Sequence, residues 1–244
     1  SRLEFQDSVR LRYGLDPIGL CSHCDGCRAK FTVEHAMQCK KGGLITLRHN
    51  DQRGTHHHLC AQAHKPSEVF DEPLIHSRQD STGNVLPTTP DGGDLPLPDT
   101  RGDLGVHGFW APGTTAIFDI RITDLDANYQ CGKDAKKCLA RHEKEKKNKY
   151  LAACLANRRH FTPLVYSVDG MHGPEAIHFS KHLAAKLAEK WQRPYSEVCG
   201  YVRSRISVSL ARSTSLLLRG SRQHYATSGQ PIWENGSGLT LYRS

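Results

Sequence analysis

Residues 116–122 read AIFDIRI, and this stretch decides the fold class. Side chains alternate faces along an extended chain. Ala116, Phe118, Ile120 and Ile122 therefore share one side, and Ile117, Asp119 and Arg121 share the other. Four apolar residues can bury one face while Asp119 and Arg121 stand together on the opposite one. The preceding run has the same period, with Asp103, Gly105 and His107 alternating with Leu104 and Val106. Strands are expected over 103–107 and 115–123, joined by a turn around Pro112-Gly113. If the two strands pair, Asp103 and Asp119 converge at one edge of a sheet. Two close carboxylates repel each other unless a cation lies between them. Mg²⁺ or Mn²⁺ suits such oxygen ligands and keeps waters that can be activated. Taken alone, Asp-x-Arg also fits a plain strand end with an ion pair.

Outward from this hairpin, the pattern alternates between the two periods. Residues 162–168 (TPLVYSV) are apolar and β-branched and predict a buried strand. Helices are expected over 134–156, 174–191 and 195–219, with a shorter one over 3–13 that Gly14 and Pro17 stop. A polar, histidine-rich stretch from 44 to 65 predicts a helix ending before Pro66, and 68–75 (EVFDEPLI) a short extended piece. Residues 79–101, with Pro87, Pro90, Pro96 and Pro98, predict a flexible loop. No internal repeat is present. The order helix, strand, hairpin, helix, strand, helix predicts an α/β fold, a small mixed sheet flanked by helices. Three parts follow: an N-terminal helix and Cys/His cluster over 1–43, a main domain over 44–200, and a basic helix and tail over 201–244.

The helix expected over 134–156 carries an unusual stripe. Stepping by three and four from Leu139 leads to His142, Lys146 and then Lys149 or Tyr150, so the core-facing side holds a lysine in its middle. A buried lysine is costly unless paired, and Asp103 and Asp119 would supply the partner. Glu143 and Glu145 lie off this stripe and are expected in solvent.

Composition narrows the partners. The chain has 244 residues, 37% of them hydrophobic, with a mean hydropathy of −0.56. It opens with Ser1, which is compatible with a fragment. It has no run of 18 apolar residues and no opening signal peptide, so no membrane partner is expected. The formal charge is +8 and the pI about 9.1. Residues 133–159 hold ten Lys/Arg against three Asp/Glu, and the tail from 201 holds six Arg against one Glu. Such patches favour a polyanion, nucleic acid above all, over a merely solvated basic face. Nine cysteines, three of them within 21–27, argue against a secreted disulfide framework and for metal binding in a reducing compartment.

Cys24-x2-Cys27-x7-His35-x3-Cys39 has the ligand types and close first pair of a structural Zn²⁺ knuckle, with Gly26 in its turn. Cys21 and His23 are possible substitutes. Knuckles either bind nucleic acid or only brace a fold. His56-His57-His58 has no cysteine partner at suitable spacing and is expected to be exposed or DNA-facing.

Together, RGDLGV (101–106), AIFDIRITD (116–124) and EKEKKNKY (143–150) resemble the restriction-endonuclease-like domain of early-branching, site-specific non-LTR retrotransposons, which belongs to the PD-(D/E)xK nucleases. Arg101, Asp103 and Leu104 fit its basic residue and Pro-Asp-Leu. Asp119 fits its central strand carboxylate, and Lys146, Lys149 and Tyr150 fit its Lys-x-x-Lys-Tyr helix. The knuckle followed by Arg48-His49-Asn50 is similar too, so the resemblance covers about residues 21–190. It implies a PD-(D/E)xK core that nicks target DNA in the nucleus to prime reverse transcription. It also implies a reverse transcriptase domain in the same polypeptide and the element's RNA as a further partner. In that scheme Asp103 and Asp119 hold Mg²⁺ or Mn²⁺, with Glu72 as a further acid. Lys146 positions or activates water, and Arg121 and Lys149 contact phosphate. Arg48, His49, Arg101, Lys147 and Tyr150 contact nucleic acid. The sequence departs from the pattern at Gly102, where the motif has proline and a loop would tolerate the change. It departs again at Arg121, where the wider superfamily has lysine; arginine does not deprotonate and can act only electrostatically. A non-catalytic binding module and a degenerate fragment are the alternatives.

Overall fold

A computed structural model describes residues 1–76, 100–125 and 134–223. Most of the loop expected over 79–101, and the tail from 224, lie outside the described residues. In chain order the elements are α1 (Arg2–Arg12), α2 (Val33–Gln38), α3 (Leu44–Ala63), β1 (Val69–Asp71), β2 (Leu74–His76), β3 (Thr100–Arg101), β4 (Leu104–His107), β5 (Thr115–Thr123), α4 (Ala135–Ala156), β6 (Arg159–Ser167), α5 (Pro174–Trp191) and α6 (Tyr195–Arg219). They form two units, one of residues 49–212 and one of residues 1–48 with the chain from 213. Among the described residues no helix is long and apolar enough to cross a membrane.

The larger unit is a mixed α/β layer structure. Its four-stranded sheet has the order β1-β4-β5-β6. β1 pairs antiparallel with β4, and β4 with β5, Leu104 standing opposite Phe118. β5 and β6 run parallel over nine residues, Asp119 opposite Pro163, and α4 is the crossover that a parallel pair needs. The alternation in β5 sorts the two faces. Ala116, Phe118 and Ile120 join Leu164 and Tyr166 of β6 in the main core, under Leu59 of α3, Phe179 and Leu183 of α5 and Val202 of α6. On the other face Ile117 and Phe161 meet Tyr150 and Cys154 of α4, with Ile75. Each fully enclosed Phe or Leu contributes about 1.5–3 kcal/mol relative to exposure.

The stretch 68–75, expected as one piece, breaks in two. Glu72 adopts a left-handed backbone (φ 51°) and Pro73 has no N–H, so the ladder stops between them. β1 stays in the main sheet, while β2 pairs with β3 in a separate two-stranded ribbon. Gly102 is not the tolerant loop position expected. Its N–H donates to Pro73 O at 2.9 Å, and a Cβ there would lie 2.4 Å from Ile117 Cγ2. Proline at this position would lose the bond and meet the wall. His56 also departs from expectation, being fully buried with its Nε2 2.7 Å from Tyr166 Oη.

The smaller unit is held by buried charge. Asp7 of α1 is 2% exposed and accepts two hydrogen bonds from Arg219, at 2.7 and 2.9 Å. Arg222, 1% exposed, donates to Leu217 O at 2.8 Å and to Ala36 O at 3.3 Å, with its guanidinium 4.9 Å from the Phe31 ring centre. This enclosed arginine is tolerated because its terminal nitrogens donate to backbone carbonyls and its flat face stacks, although its buried Nε has no partner. Past the end of α6, Ser221 Oγ and the Arg222 N–H donate to Asp25 of the Cys/His turn, at 2.7 and 2.8 Å.

Candidate metal centres

In the smaller unit the Cys/His motif closes into one cluster. A tight turn carries its first two members. Cys24 N–H donates to Ala29 O at 2.8 Å and Arg28 N–H to Cys24 O at 2.9 Å, with Arg28 in the left-handed region (φ 64°). Thr32 caps α2, its Oγ1 accepting from His35 N–H at 3.1 Å, and the helix delivers His35 and then Cys39. The ligand atoms of Cys24, Cys27, His35 and Cys39 all lie within 4.8 Å of one another. Cys24 Sγ is 3.9 Å and Cys27 Sγ 4.0 Å from Cys39 Sγ, and Cys27 Sγ is 3.4 Å from His35 Nε2. A tetrahedral Zn²⁺ with sulfur at about 2.3 Å and nitrogen at about 2.05 Å sets ligand edges of roughly 3.5–3.8 Å. The cluster therefore fits zinc, and Cys21 and His23 lie outside it.

The thiols respond to one another. Burial pushes Cys24 up, but N–H groups of Cys27 and Gly26, with the His35 side chain, outweigh it and bring the thiol down to about 6. At Cys27 the Ala29 N–H lowers the value, yet burial and the sulfurs of Cys24 and Cys39 leave it raised. Thiolates this close favour a shared cation.

In the larger unit a second cluster forms where β4 and β5 begin to diverge. Asp103 precedes β4; its N–H donates to Phe118 O at 2.9 Å and its Oδ2 accepts Ile120 N–H at 2.5 Å. Its other oxygen, Oδ1, is 2.9 Å from His49 Nε2 of α3. Asp119 is next in the ladder, 6% exposed, on the face that α4 covers. Lys146 Nζ reaches Asp119 Oδ2 at 2.8 Å. That oxygen is enclosed, and the lysine is its charged partner. Burial pushes the Asp119 carboxyl above the ordinary carboxylate range; Lys146 opposes this, Asp103 adds to it and His49 reduces it. An enclosed carboxylate with spare acceptor capacity beside a second one suits an oxygen-loving divalent ion.

From Asp119 the polar face of β5 pairs with α4 in sequence. Arg121 Nη1 meets Glu145 Oε2 at 2.9 Å, and Thr123 Oγ1 lies 3.2 Å from His142 Nδ1. The lysine-bearing stripe thus lies against the sheet: Leu139, His142 and Tyr150 are buried, with Lys146 at its centre.

Other sequence-selected residues go elsewhere. The Glu72 carboxylate, 57% exposed, pairs with Arg53 and not with Asp103 or Asp119. Among the described residues only the Cys/His cluster gathers three or more ligand-type side chains at metal-holding separation. Arg101 donates to Glu72 O at 3.1 Å, and Lys147 pairs with Glu175 of α5. Lys149 lies with its Nζ 4.8 Å from the Tyr150 ring centre. Two residues expected to meet nucleic acid are inside: Arg48 is 6% exposed, 3.7 Å from Met37 Sδ, and Tyr150 packs edge-on against Phe161.

Glu143 corrects a further expectation. It is 5% exposed, not in solvent, and its Oε1 accepts Glu175 N–H at 3.0 Å in the first turn of α5. The cap position of α5 is Gly173, which has no side chain to do this. Glu143 caps the next helix from outside it, and burial raises its carboxyl to about 7. Helical spacing from Leu139 does not show this role; the bare Gly173-Pro174 start of α5 was its only signal.

No family model matches the chain, and no curated protein matches it.

Proposed function

We propose that the chain is a metal-dependent DNA endonuclease with a PD-(D/E)xK core, of the retrotransposon type that its motifs resemble. One observation carries the reading: the enclosed Asp119 carboxylate, beside Asp103 in the ladder, meets an inward-turned lysine at 2.8 Å. The element order is also the one this reading expects, with the parallel β5–β6 pair crossing through the lysine-bearing helix.

Asp103 and Asp119 would hold Mg²⁺ or Mn²⁺, which would supply charge neutralisation and an acidified water. Lys146 holds and orients the attacking water. Water adds to phosphorus in line as a bridging P–O bond breaks, and its proton passes to solvent while the departing oxygen becomes a hydroxyl. Arg121 and Lys149 lie next to this centre, Arg121 exchanging Glu145 for a phosphate oxygen. The zinc knuckle braces the smaller unit. Target DNA, the element's RNA, a reverse transcriptase domain in the same polypeptide and a nuclear site of action belong to the same proposal.

A binding module without cleavage is the second reading, favoured by the Lys146 ion pair, which gives Asp119 a counter-charge from the protein itself. A plasmid-nicking assay with Mg²⁺, Mn²⁺ and EDTA separates the two. The nuclease reading expects metal-dependent conversion of supercoiled plasmid. Asp119→Ala abolishes it while gel-shift binding survives. Undiminished nicking by that variant refutes the assignment. Salt-sensitive binding without nicking by the unaltered chain supports the second reading.

A further inference from the structure

Glu72 is turned away from Asp103 and Asp119, and the place it turns to is informative. Residues 71–73 hang on residues 101–103. Glu72 N–H donates to Asp103 O at 3.2 Å, Gly102 N–H to Pro73 O at 2.9 Å and Arg101 Nη1 to Glu72 O at 3.1 Å. The Glu72 carboxylate pairs with Arg53 of α3. Two guanidinium groups, one from α3 and one from β3, thus converge on a single residue next to Asp103.

Three features set this arrangement apart from an ordinary surface pair. Arg53 is mostly enclosed, 21% exposed, whereas the carboxylate it holds is 57% exposed. The cation is fixed and its anion is open to exchange. Glu72 also has a left-handed backbone (φ 51°), which glycine adopts without strain. What glutamate adds at this turn is its carboxylate. Finally, both arginines lie close to the proposed centre. Arg101 is two residues before Asp103, about 7 Å along an extended chain. Arg53 is one helical turn past His49, which bonds Asp103. A phosphodiester presents to an arginine fork the same pair of oxygens as a carboxylate. A guanidinium has five N–H donors, and the bond to Glu72 O engages one of those on Arg101.

We infer that Arg53 and Arg101 form a seat for a DNA backbone phosphate beside the one that is cut, and that the Glu72 carboxylate fills this seat until DNA displaces it. Exposed pairs of this kind contribute little and are screened by salt, so the exchange costs little. The inference rests on the DNA-binding part of the proposed reading and not on cleavage.

The test measures binding of the full, zinc-loaded chain to a fluorescein-labelled DNA duplex by anisotropy, across a salt series and with no Mg²⁺ or Mn²⁺ added. Arg53→Gln should weaken binding by on the order of fivefold and make the salt dependence shallower by about one phosphate contact. Glu72→Gln should tighten binding by about threefold, the scale of one exposed ion pair removed from competition, with an unchanged thermal midpoint. Asp71→Asn removes the same charge one residue away, from a carboxylate paired with His57, and should gain far less. In the double variant Arg53→Gln, Glu72→Gln the gain should vanish. A gain that Asp71→Asn matches, or that survives without Arg53, overturns the seat, because it reports only lost negative charge. Glu72→Gln that binds no tighter overturns it too. Either result leaves the nuclease reading to the plasmid assay. No DNA binding by the unaltered chain overturns the DNA-binding reading and the inference together.

Discussion

The Cys/His cluster and the Asp103–Asp119 site assemble their groups in opposite ways. The first takes all four ligands from residues 24–39, placed by one turn and one short helix. The second draws on α3, the start of β4, the middle of β5 and α4, with residues from 49 to 146. The first gathers three sulfurs and an imidazole. The second already contains a protein cation, Lys146, which balances Asp119. Zinc should therefore be part of the fold at the first site, whereas the second should stand without its ion and hold the ion only for chemistry.

Stripping zinc tests the larger half of that contrast. Binding energy at a structural zinc site is folding energy, on the order of 10 kcal/mol. The unaltered chain should contain one zinc, and Cys39→Ser or strong chelation should remove it. Hydrogen exchange should then accelerate over residues 24–39. It should accelerate also at Ser221 and Arg222, whose bonds to Asp25 depend on the turn. β4, β5 and β6 should keep their protection. Collapse of the sheet, or no change at the turn, would break the contrast.

The two sites were also unequally legible in the sequence. The cluster could be read because its ligands are local: spacing alone dictates the turn, and only the choice between Cys21 and Cys24 needed coordinates. The faces of β5 were legible for a similar reason, since period 2 places Asp119 opposite Phe118 whatever the sheet order. The lysine at 146 was legible because helical spacing set it on the apolar stripe. What stayed hidden depends on contacts between distant segments. His49 meets Asp103 across 54 positions, and Glu143 caps a helix 32 positions away. Gly102 is required by a wall that Ile117 builds. A motif written as a string names such residues but gives no direction to their side chains, which is why Tyr150 and Arg48 were expected outside and are found inside.

Lys146→Met sharpens the second half of the contrast. Removing one partner of an enclosed pair leaves the other charge uncompensated, a loss of about 3–5 kcal/mol when both are fully buried. Lys146 is 24% exposed, so a cost of about 2 kcal/mol is the reasonable scale here. The pH dependence has a definite sign. The Asp119 carboxyl already lies above its ordinary value through burial, and loss of the lysine raises it further. A group whose folded value exceeds its unfolded one favours the fold in its protonated form. That stability is present below about pH 4, the unfolded carboxylate value, and is lost as pH rises through the folded value. Denaturation midpoints should show Lys146→Met closest to the unaltered chain in acid and furthest from it at neutral pH. Added Mn²⁺ should narrow the neutral gap by replacing the missing cation. A deficit that is the same at every pH, or deaf to Mn²⁺, would mean that Lys146 contributes only packing.

Asp119→Asn has the smallest expected effect on stability and separates the two sites most sharply. At the Cys/His cluster, losing a ligand and losing the fold are one event. At Asp119 they should come apart, because burial pushes the carboxyl above its ordinary range and Lys146, 2.8 Å from Oδ2, only opposes that cost. Asparagine keeps the shape and removes the charge, and Lys146, partly open to water, can turn outward. The thermal midpoint at neutral pH should stay level or rise, by roughly 2–4 °C for each kcal/mol relieved in a chain of this size. On the proposed ion site, Mn²⁺ should raise the midpoint of the unaltered chain by mass action and should cease to raise that of the variant. A protein does not keep a residue of this kind for stability, so a variant that melts higher and no longer responds to the ion would mark Asp119 as held for binding. A variant that melts several degrees lower would place Asp119 with the structural ion pairs, alongside Asp7 and Arg219, and remove the distinction between the two centres.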